Sequence, residues 1–516
     1  MPKTIPLLAA AACLALAASA AAAQPARPSQ ARATPDLRRF AADYEAFLAD
    51  MVARFPDLPS LTVVVTRSNG TVFARSFGRA DIATGRAATP DTLYYIASST
   101  KSFLGLAMAQ LAARGEISLD WTLAELAPDV HFSPDIHADR VTLRHLLSHT
   151  HGLTGTGIAF RLAYTGEHDP ATLWRQLADL QPNREAPLGS FRYTNLGYNI
   201  AAMLVERRLG RRWQDMVDRE VLVPLGMTHS LTQGLDRARR RLPFALPYTS
   251  VAPAGVAPVY LVKHDDTMQS SGGMFASAND VARFLRAQLN AERGRGTGRL
   301  SAAVIAGTHV PIGHMDERRG VFPGSGYGLG WYAGEANGAT LYYSMGGFPG
   351  ARSHMSFMPA HDLGVVALSN DDGVGEMLAD LVAIYAYAWF AEGREAAAAA
   401  GAQWLERVTQ EYAGRRNRMA AARAQQAARP WRLSLPIAAY TGRYCNAAYG
   451  TIVIADHGGR PAMAMGRLHA DAGPFDRPET VRMEAIPGEG RLLSFALENG
   501  RAVALTYDED RYSRCP

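Results

Sequence analysis

Ser98-Ser99-Thr100-Lys101 sets a hydroxyl and an amine three residues apart. A helical turn takes about 3.6 residues, so on a helix the two side chains share a face. The pair has the composition of an activated nucleophile: the serine oxygen attacks a carbonyl and the amine takes its proton. That chemistry needs a neutral lysine near pH 7. Burial and the N-terminus of a helix both disfavour the ammonium. The spacing alone equally fits an N-cap serine followed by a surface lysine. Here the following residues (Phe103, Leu104, Leu106, Ala107, Met108, Leu111) are apolar nearly all round the helix, a poor setting for a surface lysine. The lysine census points the same way. Of 53 Lys plus Arg, only Lys3, Lys101 and Lys263 are lysine. Arginine does not give up its proton, so a chain that otherwise uses arginine keeps lysine where a neutral amine is wanted. Lys263, ahead of His264-Asp265-Asp266, reads as a solvated loop residue.

A second group is Tyr193-Thr194-Asn195. A tyrosine hydroxyl can relay a proton between nucleophile and leaving group, and an asparagine amide can orient a substrate carbonyl. In isolation the same residues read as a helix entry, with Asn195 capping and Tyr193 packing. His149 and His151 lie in a loop, and no His/Cys/Asp cluster has metal-ligand spacing, so no metal and no cofactor is expected.

These residues need elements to hold them. Leu61–Val65 is a β-branched run, Ser68-Asn69-Gly70 a hairpin turn and Val72–Phe77 a returning strand. An apolar helix is expected from Ser99 to Arg114, stopped by Gly115. Tyr198–Leu209 and Asn279–Leu289 are further helices, and strand patterns return at Thr340–Tyr343, Ser353–Met358 and Gly364–Ser369. Strands at both ends of this region with helices between predict an α+β domain over 37–391, its sheet closed where the two ends meet. Residues 392–430 are rich in Ala, Arg, Gln and Glu and read as a helical connector. From 431 to 516 short strands alternate with Gly-Gly and Asn-Gly turns, the pattern of a small antiparallel barrel or sandwich.

Composition bounds the rest. The chain has 516 residues, 48% hydrophobic and 20% charged, enough for two or more domains with a large core. Net charge is +5, and the basic stretches lack interleaved aromatics, which argues against nucleic-acid binding. Lys3, the apolar run Ile5–Leu16 and the small residues Ala17–Ala23 read as a signal peptide over 1–23, followed by a flexible Pro/Ala/Gln-rich lead-in over 24–36. The protein is therefore expected to be exported, periplasmic or secreted. No other segment has the length and apolarity of a membrane span. Removing the leader removes Cys13. Cys445 and Cys515 remain, and in an exported chain they suggest a disulfide, with two free buried thiols as the alternative.

Taken together, the motifs resemble the penicillin-recognising serine hydrolases of the class C β-lactamase, D-aminopeptidase and esterase type. Thr142-Leu143-Arg144-His145-Leu146-Leu147-Ser148-His149-Thr150-His151-Gly152-Leu153 looks like that family's loop after the nucleophile helix. Pro224-Leu225-Gly226-Met227, Ser271-Gly272-Gly273-Met274 and Tyr327-Gly328-Leu329-Gly330-Trp331 follow as landmarks in the family's order, so the resemblance covers about residues 55–372. It implies a β-lactamase/transpeptidase-like domain, and the tail is similar to the lipocalin-like β domain of some relatives. It also implies roles: Ser98 as acylated nucleophile, Lys101 as base, Tyr193 as second proton-transfer group and Asn195 as a substrate-amide contact. The histidines of the loop would be structural.

One family motif departs. Where relatives carry Lys or His, one residue, then Gly, this chain has Ser344-Met345-Gly346-Gly347. Gly347 would still supply a backbone N–H opposite that of Ser98 for the oxyanion. The missing cation removes a partner for a substrate carboxylate, and Arg352 is a candidate replacement. The reading is a serine hydrolase acting through an acyl-enzyme on amides or esters of small molecules or short peptides, D-amino-acid types included. A true β-lactamase or DD-carboxypeptidase, and a non-catalytic sensor or cell-wall binding protein, are the alternatives. No partner for the C-terminal domain is indicated.

Overall fold

The β-branched run and the Asn-Gly turn do form a hairpin: β1 (Ser60–Arg67) returns as β2 (Gly70–Asp81) and ends against the short β3 (Arg86–Ala87). The computed structural model describes residues 36–155, 157–252 and 255–516. The expected leader at 1–23 and the expected lead-in, as far as residue 35, lie outside them. Late in the region come β4 (Gly313–Arg319), β5 (Phe322–Tyr327), β6 (Tyr332–Ala336), β7 (Ala339–Phe348), β8 (Ala351–Met358) and β9 (Leu363–Ser369). The nine make one antiparallel sheet in the order β4-β5-β6-β7-β8-β9-β1-β2-β3. β9 pairs with β1, Leu61 opposite Ser369 and Val65 opposite Val365, so the two ends of the region meet as expected.

Alternation along these strands feeds two cores, because successive side chains leave opposite faces. Val64, Val366, Leu368 and Phe357 pack on one face with the helical region. Leu61, Val63, Val65 and Val365 pack on the other, with α1 (Leu37–Ala53) and a C-terminal helix. The helical region includes α2 (Thr100–Ala113), α3 (Leu196–Leu209) and α4 (Ala278–Ala291). α2 buries eleven of its fourteen residues, and Phe103 stacks on Phe284 of α4 with ring centroids 3.9 Å apart. α5 (Gly375–Ala391) closes the opposite face, and α6 (Arg394–Ala427) is the expected connector, a single helix of 34 residues.

Residues from Gly442 to Arg514 form a second nine-stranded antiparallel sheet that curls into a nearly closed barrel. Cys445 and Cys515 are disulfide-bonded, tying its first strand to the end of the chain. The barrel's apolar interior continues into Tyr95, Leu261 and Phe348, so it packs directly behind the end of β7. Arg161 fastens the contact: Nε donates to the Ala448 carbonyl at 2.6 Å and Nη2 to that of Ala447 at 3.0 Å. The fold is thus the β-lactamase/transpeptidase-like α+β architecture with a C-terminal barrel. No helix among the described residues is long and apolar enough to cross a membrane.

Candidate active site

Ser98 sits in a short 3₁₀ turn (Ala97–Ser99) that runs into α2. Ala97, just before it, has φ +45°, a left-handed conformation that a non-glycine residue holds only when its surroundings impose it. They do. Ser353 Oγ of β8 donates to the Ile96 carbonyl at 2.7 Å, and Thr100 Oγ1 donates to the Ala97 carbonyl at 2.7 Å. β7 also presses on the turn: a Cβ at Gly346 would stand 2.0 Å from the Ile96 carbonyl oxygen, so only glycine fits. On the far side, the Gly328–Trp331 landmark lies against the start of α2, where Ser102 Oγ donates to the Gly330 carbonyl.

Lys101 is 1% exposed, and burial holds its amine well below the usual lysine range. Nζ lies 3.0 Å from Ser98 Oγ, 2.8 Å from Asn195 Oδ1 and 2.8 Å from the Ser271 carbonyl. Two of these partners only accept hydrogen bonds. A neutral amine has two N–H groups and one lone pair. An ammonium would donate to all three; in the neutral form that burial favours, the N–H groups serve Asn195 and Ser271 and the lone pair faces the Ser98 hydroxyl. Burial favours the proton-accepting form of the lysine, and the three contacts aim it at Ser98.

Each partner is held in turn. Asn195 occupies the N-cap position of α3, but its side chain makes no cap and turns to Lys101 instead. One helical turn on, Asn199 Oδ1 accepts from Ser271 N at 3.2 Å and Ser270 Oγ at 3.0 Å, fixing the loop whose carbonyl meets Lys101. The sequence marked Ser271 only as a landmark and passed over Asn199. The Asn195–Asn199 spacing of one turn was the available signal. The ring of Tyr193 lies 4.8 Å from Nζ and stacks on Tyr332. Behind Tyr193, His149 packs against its ring at 4.4 Å. His151 Nδ1 accepts from Leu153 N at 3.0 Å, and burial lowers its pKa to about 4. Both histidines thus brace the Tyr193–Asn195 loop.

A cavity of about 250 Å³ opens at Ser98. Its walls include Tyr193, Tyr332, Met345, Gly346, Gly347 and Arg352, so the structure brings most of the expected residues together. Ser344 is not among them: it is buried on the opposite pleat face from Met345. Arg352 is present but engaged. Its Nη1 donates to the Phe348 and Ala351 carbonyls, and Nε lies 3.2 Å from Glu376 without the alignment of a hydrogen bond. Lys263 corrects the sequence reading outright. It is 3% exposed, its pKa is lowered to about 7 by burial, and Nζ lies 3.9 Å from the Phe348 ring centroid and donates to the Ala163 carbonyl at 2.5 Å. The barrel and the aromatic residues around Phe348 cover what the acidic neighbours suggested was a solvated loop.

Comparison with known proteins agrees with the fold. Residues 48–388 match the family model Beta-lactamase, and the chain belongs to that family. It is 30% identical to the esterase EstB of Burkholderia gladioli over 272 residues, 46% of this chain and 67% of the esterase. It is 25% identical to an unguisins hydrolase of Aspergillus violaceofuscus over 335 residues, spanning 61% of this chain and 58% of that one. The octameric penicillin-binding protein homologue from Pyrococcus abyssi shares the fold over 91% of this chain and 98% of its own, with a TM-score of 0.57 and 21% identity. The protein is a serine hydrolase of the β-lactamase family.

Proposed function

We propose that the protein cleaves small esters or amides, D-amino-acid derivatives included, by acylation of Ser98, and that it acts outside the cytoplasm. Ser98 Oγ attacks the carbonyl carbon as its proton passes to Lys101 Nζ. The N–H groups of Ser98 and Gly347 hold the oxyanion. Collapse expels the leaving group, which takes a proton through Lys101 and Tyr193, and water then releases the acyl group by the same route in reverse. The observation that carries this reading is a buried Lys101 whose Nζ lies 3.0 Å from Ser98 Oγ, with burial holding the amine well below the usual lysine range. The esterase relative supports it. The leader at 1–23 and the Cys445–Cys515 bridge support export.

The loss of the motif's cation at Ser344 disfavours penicillins, whose carboxylate has no free partner there. The test pairs p-nitrophenyl acetate with nitrocefin. Wild type is expected to turn over the ester and Ser98→Ala to lose that turnover entirely. Ester turnover retained by Ser98→Ala overturns the proposal. Nitrocefin hydrolysis at an ordinary enzymatic rate would return the β-lactamase reading to first place.

A further inference from the structure

The cavity at Ser98 carries two side chains that the family motif does not account for. Glu376 and Asp380 stand one turn apart on α5 and both line it. Glu376 is matched by Arg352 at 3.2 Å. Asp380 is matched by no arginine or lysine among the described residues. It is 6% exposed, and its Oδ1 lies 2.9 Å from His354 Nδ1.

A chain of hydrogen bonds runs behind that histidine. His354 Nε2 lies 2.7 Å from Ser356 Oγ, which lies 2.8 Å from Tyr387 Oη. Burial raises the Tyr387 pKa, so its hydroxyl stays protonated. With Tyr387 donating to Ser356 and Ser356 donating to Nε2, the N–H on Nδ1 of His354 points at Asp380. Read in that direction, every donor in the chain is used once and the chain ends on the Asp380 carboxyl group. Oδ2 remains on the cavity side, where it would meet a Cβ at Gly320, another lining residue, at 2.6 Å.

Resting on the hydrolase reading above, we infer that Asp380 binds a cationic nitrogen of the substrate, so that the preferred esters and amides carry an ammonium group close to the scissile carbonyl. The rest of the wall suits that group. Tyr193 and Tyr332 present stacked rings and Met345 a polarisable sulfur, surfaces that attract an ammonium ion. Where the family motif would set a cation for a carboxylate, this cavity offers a carboxylate for a cation. An anionic substrate would meet the Asp380 carboxyl group, with Arg352 already held by Glu376.

The test compares three p-nitrophenyl esters of one amino acid: the free amine, its N-acetyl derivative and its N-succinyl derivative. Wild type is expected to show kcat/KM highest for the ammonium ester, at least tenfold above the neutral one, and lowest for the anion. Asp380→Asn is expected to bring the ammonium-to-neutral ratio close to one, chiefly through KM. The ratio is read within each variant, so a general loss of stability does not imitate the effect. Benzylammonium should inhibit wild type competitively and benzoate should not, which tests the site without any variant. Turnover of the neutral ester with no preference for the ammonium ester, or a preference that survives in Asp380→Asn, overturns this inference and leaves the hydrolase reading standing. Turnover of none of the three overturns both.

Discussion

Both lysines among the described residues are buried, and their chemistry differs because their partners differ. Lys101 faces a hydroxyl that can give it a proton, whereas Lys263 faces backbone carbonyls and aromatic rings. Lys263 therefore has a consequence for stability. Its folded pKa is about 7, against an ordinary value of about 10.5 when unfolded. Between those values the unfolded chain holds a proton that the folded chain does not, so stability rises with pH across that window. Below pH 7 both states are protonated and the full cost of burying the cation remains. Lys263→Met should flatten this rise, removing on the order of a few kcal/mol of pH-dependence, measured by urea unfolding at pH 6, 8 and 10. An unchanged slope would place the titration elsewhere. The pairing of Lys101 with Ser98 was legible because its residue types and spacing are local, and because arginine fills nearly every other cationic position. Lys263 and Asp380 were not, since what surrounds them comes from distant segments: Phe348 and the barrel for one, His354 and Gly320 for the other.

The elements matter through how closely they approach the nucleophile turn. β7 can lie against Ile96 only because Gly346 has no side chain. In Gly346→Ala the new Cβ meets a carbonyl oxygen with backbone on both sides, and neither can yield freely. The variant should lose about 1–3 kcal/mol of stability. A displacement of Ser98 by even 1 Å should lower kcat/KM by about 100-fold or more. Thermal unfolding and p-nitrophenyl acetate kinetics read the two effects separately, and wild-type values for both would show that β7 does not set the turn. Sequence patterning found β1, β2, β7, β8, β9 and the helices α2, α3, α4 and α6, but not α5. It did not find β4–β6, where glycines and charges break the alternation, and these strands supply Tyr327, Tyr332 and one wall of the cavity.

At the scale of the whole molecule, the barrel is part of the support for the site rather than a separate appendage. Its core runs on into Phe348, the residue after Gly347, and Arg161 and Arg467 bind it to the helical region. The Cys445–Cys515 bridge closes a loop of 70 residues, which in a chain-entropy account stabilises the barrel by about 4 kcal/mol. Cys445→Ser should therefore lower the midpoint of barrel unfolding, followed by limited proteolysis beyond residue 430. No change on removing the bridge would mean the strands and the Arg161 contact suffice. The barrel itself was legible from its short strands and Gly turns. Its docking was not, because Arg161 and Tyr95 carry no pattern that names a partner 300 residues away.

The central claim is that a neutral Lys101 activates Ser98. The most direct measurement is the rate of covalent labelling by a fluorophosphonate as a function of pH, with the adduct mapped by mass spectrometry in wild type and Lys101→Arg. The account predicts one adduct, on Ser98. Its rate should rise with pH along a single ionisation well below the ordinary lysine value, and Lys101→Arg should be slower by about 100-fold or more at every pH. An adduct on another residue, or equal labelling of the arginine variant, would contradict it.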